Sequence, residues 1–268
     1  MKKISVLLFG LGLLSLSSCN EFLDKLPDDR AEVNTFEKVT QLVSSAYATA
    51  SPGFLMEWSS DNVTDNGKTF YYQPNQDQVY RWKEVNTNGN DDPRQVWGYA
   101  YYAVGNANQA LADLSKVKDG NINAVRAEAL LCRAWALFCL SNAFCMAYDE
   151  SKADKYLGLP YPKEANQTVD KRGTLRELYE NINADIEAAL PYVSEEYMAV
   201  PKYHFNPRAA YAFAARFNLY YQKWDKAAEY ASKALGTQSE ALMRNVARYK
   251  TLSGGRKEIH PLQFLCPV

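Results

Sequence analysis

The first residues with a readable chemistry are Leu16-Ser17-Ser18-Cys19, which place one thiol at the end of an export-type segment. Lys2 and Lys3 give that segment a positive start. Ile4 to Leu16 form an apolar core interrupted only by Ser5, Gly10, Gly12 and Ser15. The run is shorter than the roughly 20 residues of a spanning helix, so it reads as a cleaved signal. Leu-Ser-Ser-Cys is the ending of the bacterial lipoprotein box. The expectation is cleavage after residue 18 and acylation of Cys19, which would tether the mature chain outside the cytoplasm by acyl chains rather than by a span.

A second group of candidates is aromatic. Between Ser51 and Pro93 helical periodicity dissolves among Pro52, Gly53, Gly67, Pro74 and Gly89, while Phe54, Trp58, Phe70, Tyr71, Tyr72, Tyr80 and Trp82 crowd the same stretch. A loop of this length in a compact domain is functional or disordered, and so many aromatics argue against disorder. A sugar asks for flat aromatic faces beside polar groups on a concave, preformed surface. On that chemistry Trp82, Tyr71 and Tyr72 are the candidates for stacking, with Arg81 and Asp61 as hydrogen-bonding partners. The alternative role for the same rings is to pin a long loop onto the scaffold, and composition leaves both open.

Catalytic chemistry is thinly supplied, and no enzyme is expected. His204 and His260 are the only histidines, and His204 just before Asn206-Pro207 reads as a surface residue at a helix start. No His-Glu-x-x-His, Gly-x-Ser-x-Gly or phosphate-loop pattern occurs. Asn62 to Gln73 imitates a calcium loop with Gly67 at the sixth position but lacks the bidentate Glu at the twelfth. Cys132, Cys139 and Cys145 fall in one helix, where neighbours lie about 9–10 Å apart, too far for a disulfide. They read as small apolar core residues. No cofactor and no metal site is expected.

Removing residues 1–18 takes two of the 30 basic residues and none of the 31 acidic ones. The mature chain then carries 28 basic against 31 acidic residues, a net charge of −3. That balance offers no basic footprint for nucleic acid. About 250 residues remain, enough for a sizeable core.

The elements that must position these residues are helices. Phe36, Val39, Leu42, Val43, Ala46 and Tyr47 trace one face of a helix from Asn34 to about Ala50, with Asn34 as cap and Glu37 three residues on. Trp97, Tyr101, Val104, Ala107, Asn108, Leu111 and Leu114 trace a second over 94–117. The third, about Ile122–Met146, is apolar on both sides and belongs in the middle of the protein. Tyr156 to Pro162 breaks the pattern. Thr174-Leu175-Arg176-Glu177 is a capping box opening a fourth helix that Pro191 stops. Asn206-Pro207 starts a fifth, and Trp224–Leu235 is the last, closed by Gly236. The run from Ala209 to Leu235 resembles a tetratricopeptide hairpin, and the 94–117/122–146 pair a more divergent one. The expected fold is all-α, with tetratricopeptide-like hairpins and a long aromatic-rich loop insertion.

Several segments, in order, carry a wider resemblance. They are Cys19-Asn20-Glu21-Phe22-Leu23-Asp24 with Pro27, Phe36-Glu37 to Ala46-Tyr47, Asp61-Asn62, and Trp97 with Tyr101 or Tyr102, Asn106 and Asn108. Arg126-Ala127-Glu128-Ala129 to Arg133-Ala134, Gly158-Leu159-Pro160, Ile182-Asn183-Ala184-Asp185-Ile186 to Leu190-Pro191, and Ala214-Ala215-Arg216-Phe217 to Trp224-Asp225-Lys226-Ala227 complete the set. Taken in this order along residues 19–236, they resemble the SusD/RagB family, the surface nutrient-binding lipoproteins of Bacteroidetes. The resemblance implies a lipid-anchored protein on the outer face of the outer membrane. It would capture an oligosaccharide, or in some members a peptide, as the lid of a SusC-type TonB-dependent transporter, without chemistry of its own. Two other readings remain: a tetratricopeptide scaffold lipoprotein that binds only proteins, and a lipid-anchored hydrolase.

The expected organisation is a signal peptide over 1–18, a lipidated tether over 19–33, a SusD-like helical domain over 34–236 and an atypical tail over 237–268. Family members continue well past the tetratricopeptide region, so the tail reads as a truncated or frameshifted end.

Overall fold

The computed structural model describes residues 33–65, 67, 74–86, 89, 91–165 and 171–237. The chain divides into two units, 1–34 and 35–268, and every helix described belongs to the second. Among the described residues there are eight α-helices and no strand; one isolated bridge joins Leu157 to Thr174. None of these helices is long and apolar enough to cross a membrane.

Helix α1, Phe36–Ser44, is capped by Thr35, whose hydroxyl accepts from the Lys38 amide, rather than by Asn34. It also stops at Ser44, short of the expected Ala50. Two helices that the sequence hid lie in the aromatic stretch: α2, Gly53–Trp58, and α3, Pro74–Tyr80. Pro52 and Pro74 looked like breakers, yet proline is well suited to a first helical turn, where its missing N–H has no partner to lose.

The long helix α4, Pro93–Asp113, starts at Asp92, whose carboxylate accepts from the amides of Gln95 (2.7 Å) and Gly89 (2.9 Å). Helix α5, Ile122–Phe144, is the centre of the molecule and buries residues on both sides, among them Val125, Ala129, Cys132 and Ala136 and, beside them, Leu131, Leu137 and Leu140. It packs against α4, whose Ala100, Ala103, Ala107 and Ala110 are all buried, and against α6, Leu175–Ala189. Small side chains let the helix axes approach closely, and the larger ones fill the space between turns. Gly120 makes the turn between α4 and α5 with φ +87°, and a Cβ there would sit 2.4 Å from the Phe36 ring. Both the left-handed backbone and the close ring require glycine.

Helix α6 opens on the expected capping box: the Thr174 hydroxyl accepts from the Glu177 amide, and the Glu177 carboxylate accepts from the Thr174 amide. Helices α7, Pro207–Tyr220, and α8, Trp224–Leu235, form the antiparallel hairpin that closes the described chain. Phe138 of α5 meets Phe213 and Phe217 of α7, and Phe217 meets Tyr179 of α6, at ring-centroid distances of 5.5–5.9 Å. Such tilted and edge-on pairs add about 0.5–1.5 kcal/mol each beyond burial.

A buried polar knot fixes α4, α5 and α6 to the connector that follows α5. The Arg133 guanidinium grips Asp185 through two bonds of 2.7 Å and donates a third, also 2.7 Å, to Asn108. Tyr161 of the connector donates to the same Asp185 at 2.5 Å, and its ring lies 5.6 Å from the guanidinium. Asn108 donates in turn to the Pro162 carbonyl, and Tyr101 to that of Pro160. The connector is therefore held as firmly as a helix, without being one.

Candidate functional site

Helices α2, α5 and α7 enclose an open cleft of about 570 Å³, within the range usual for small-molecule sites. The local sequence explains its walls. On α5, Trp135, Cys139 and Asn142 recur at i, i+4 and i+7, so they share one face of an otherwise buried helix. On α7, Arg216 and Tyr220 stand three and seven residues after Phe213, so they share its face of the helix. The third wall is the segment from Ser51 through α2 to Asn62.

The floor is aromatic. Trp135 stands edge-on to Phe213 at 5.1 Å, and Tyr220 lies perpendicular to Phe138 at 5.2 Å. Phe54 stacks on Trp58 at 5.7 Å with its ring still 40% exposed, and Tyr220 is 48% exposed. Polar groups line the rim. The Glu57 carboxylate accepts from the Ser60 hydroxyl and from the Asn62 amide at 3.3 Å. Arg216 has no hydrogen bond or ion pair within the described residues. Flat faces beside the Arg216 guanidinium and the side-chain amides of Asn62 and Asn142 can hold a polar, ring-containing ligand by stacking and hydrogen bonding. Among the described residues there is no group of three or more His, Cys, Asp or Glu able to hold a metal ion.

The residues singled out in the sequence fall in three places. Cys19, Tyr71 and Tyr72 lie outside the described residues. Arg81 and Trp82 directly follow α3. Arg81 pairs with Asp77 at 2.6 Å and Asp65 at 3.6 Å and lies over the Tyr80 ring. The Trp82 indole is 80% exposed on a backbone at φ +53°, a left-handed conformation that a bulky residue rarely adopts. Asp61 is exposed between the cleft residues Ser60 and Asn62. Arg81 and Trp82 are not among the residues that line the cleft.

Phe54, Asn142, Arg216 and Tyr220 are not among the ligand contacts that the sequence suggests. The signal was present as phase: Asn142 at seven residues from Trp135, and Arg216 four from Tyr220, each break an apolar face. Trp135 is half-buried and walls the cleft. His204, expected on the surface, is instead turned inward against Glu128 with its side chain 20% exposed.

Residues 21–219 match the family model SusD-like_3, described as starch-binding and associating with the outer membrane. No curated protein matches the chain. A SusD-like carbohydrate-binding protein from Bacteroides vulgatus ATCC 8482 superposes with a TM-score of 0.63 at 18% identity, over 80% of this chain and 46% of that one. A SusD superfamily protein from Bacteroides thetaiotaomicron VPI-5482 gives 0.58 at 19% identity, over 74% and 44%. A laminarin-binding SusD-like protein gives 0.55 at 21% identity, over 75% and 43%. The chain thus spans less than half the length of each of these solved relatives, and at such identities the likeness is one of fold.

Proposed function

Because the chain belongs to the SusD-like family of starch-binding, outer-membrane-associated proteins, we propose that it is a surface glycan-binding lipoprotein. Anchored through Cys19 and facing the exterior, it captures oligosaccharide and delivers it to a SusC-type TonB-dependent transporter. The observation that carries this reading is the cleft between α2, α5 and α7, where exposed aromatic faces stand beside side-chain amides and the Arg216 guanidinium. Trp82, with Tyr71, Tyr72, Arg81 and Asp61, is proposed as a second contact region on the aromatic stretch. Binding and release without turnover need only such surfaces, and the residues lining the cleft include no histidine.

A peptide ligand is the second reading. The cleft carries one acidic and one basic side chain, Glu57 and Arg216, a combination that suits a zwitterionic chain as well as a neutral sugar.

Isothermal titration of the mature chain against a panel of glycans and peptides tests both. Laminarin and starch oligosaccharides belong in the panel, because a solved protein of this fold binds the former and the family description names the latter. The expected result is glycan binding that Phe54→Ala or Tyr220→Ala weakens about tenfold, the equivalent of one lost ring contact. Binding of peptides alone favours the second reading. A folded chain silent toward the whole panel overturns both and favours a scaffold that binds only proteins.

A further inference from the structure

Two turns along α5 from the cleft residue Trp135 lies a polar cluster that ligand capture does not use. Glu128 of α5 is 2% exposed, and three side chains from two separate segments reach its carboxylate. Tyr47, three residues beyond the end of α1, donates its hydroxyl at 2.5 Å. Tyr197, in the segment between α6 and α7, donates to the other oxygen. His204, from the same segment, places Nδ1 2.7 Å from the oxygen that Tyr47 also uses. The cluster closes on itself, because the Phe205 amide donates to the Tyr47 hydroxyl at 2.7 Å and the two rings stack at 5.6 Å.

We propose that the His204–Glu128 contact is a pH-sensitive clasp that fastens the 197–206 segment to α5 and to the end of α1.

The argument is one of charge. A buried carboxylate without a counter-ion is costly even when its lone pairs are filled. Among the described residues His204 is the one cationic side chain within ion-pair reach of Glu128. The other titratable groups facing the cluster are the tyrosines 47 and 197 and Cys132 one turn along α5. Burial pushes all three upward, so they stay neutral and supply no compensating charge. Lys202, two residues before His204, lies over the Tyr203 ring instead.

Protonated His204 provides both the counter-charge and a charge-assisted hydrogen bond. The bond to Glu128 holds the imidazole above its usual range, with burial opposing. Below the unfolded-state value, about 6.5, folded and unfolded chains are both protonated and the contribution is complete. As pH rises through the higher folded-state value the proton leaves and the contribution is lost. The clasp is therefore fastened under mildly acid conditions and loosened under alkaline ones. Phe205 carries the effect one ring further, since it stands 6.4 Å from Trp135, a wall of the cleft.

The test needs no ligand, so it stands apart from the reading of the cleft. Melting temperature is measured from about pH 5.5 to 9 for the wild type and His204→Gln, and the wild-type imidazole signals are followed by NMR, with His204 assigned by its loss in the variant. The expected result is a wild-type advantage of about 2–4 °C at the acid end that vanishes at the alkaline end, with His204 titrating above 6.5. Glu128→Gln, which keeps an acceptor but removes the charge, should return His204 to 6.5 or below. Parallel melting profiles for wild type and His204→Gln overturn the proposal. So does a wild-type chain in which neither imidazole titrates above 6.5, a result available even where neither variant folds.

Discussion

Removing the carboxylate from the knot at Arg133 should cost more than any surface change in this protein. In Asp185→Ala the guanidinium loses both 2.7 Å bonds, and Arg133, itself 4% exposed, cannot turn to water. It keeps the Asn108 oxygen and the Tyr161 ring, neither of which carries a charge. The Tyr161 hydroxyl loses its acceptor as well. Breaking a buried pair from one side costs about 3–5 kcal/mol. For a domain of this size each kcal/mol lowers the melting temperature by about 2–4 °C, so the fall should be roughly 6–20 °C. Urea and thermal denaturation followed by circular dichroism at 222 nm read it directly. Arg133→Met combined with Asp185→Leu removes both charges and should recover part of the loss. The orphaned Tyr161 hydroxyl and Asn108 oxygen would still cost about 1–3 kcal/mol each, the first of which adding Tyr161→Phe should return. An Asp185→Ala chain within about 1 kcal/mol of wild type would refute this account of the knot. So would a double variant no more stable than the single one.

Two other substitutions test the joints of the scaffold. Gly158→Ala places a Cβ 2.5 Å from the Thr174 carbonyl oxygen, a backbone atom that cannot step aside, and should destabilise by about 1–3 kcal/mol; an unchanged urea midpoint would show that the connector yields more easily than its packing indicates. Thr174→Ala removes one half of the α6 capping box and should cost about 1 kcal/mol, read as a lower midpoint at constant denaturant slope.

Which parts of this molecule can be read from its sequence follows from where periodicity is strong. Helices α4 to α8 were legible because their apolar residues repeat at 3.6 and their ends carry Thr174, Glu177, Asn206 and Gly236 as markers. The two-sided apolar pattern of 122–146 placed α5 at the centre correctly. Helices α2 and α3 were not legible, since six or seven residues hold too few turns to show a period and each follows or begins with a proline. The cleft was only half legible for the same reason. Its aromatic wall drew attention by composition, whereas Trp135, Asn142, Arg216 and Tyr220 come from distant helices that only tertiary packing brings together. The inward turn of His204 was invisible, because its partner Glu128 lies 76 residues away.

That distance has a consequence for how the chain assembles. The α4–α5 and α7–α8 hairpins join neighbours in sequence, so their loops close at small entropic cost. The Phe205 amide and the Tyr47 hydroxyl are separated by 158 residues, and nothing local draws them together. Contacts of such separation form late, on a surface that nearer contacts have already built. The Glu128 cluster is then the seal set last on a nearly finished body and the first to open. Mutations within it should accelerate unfolding while leaving the folding rate almost unchanged.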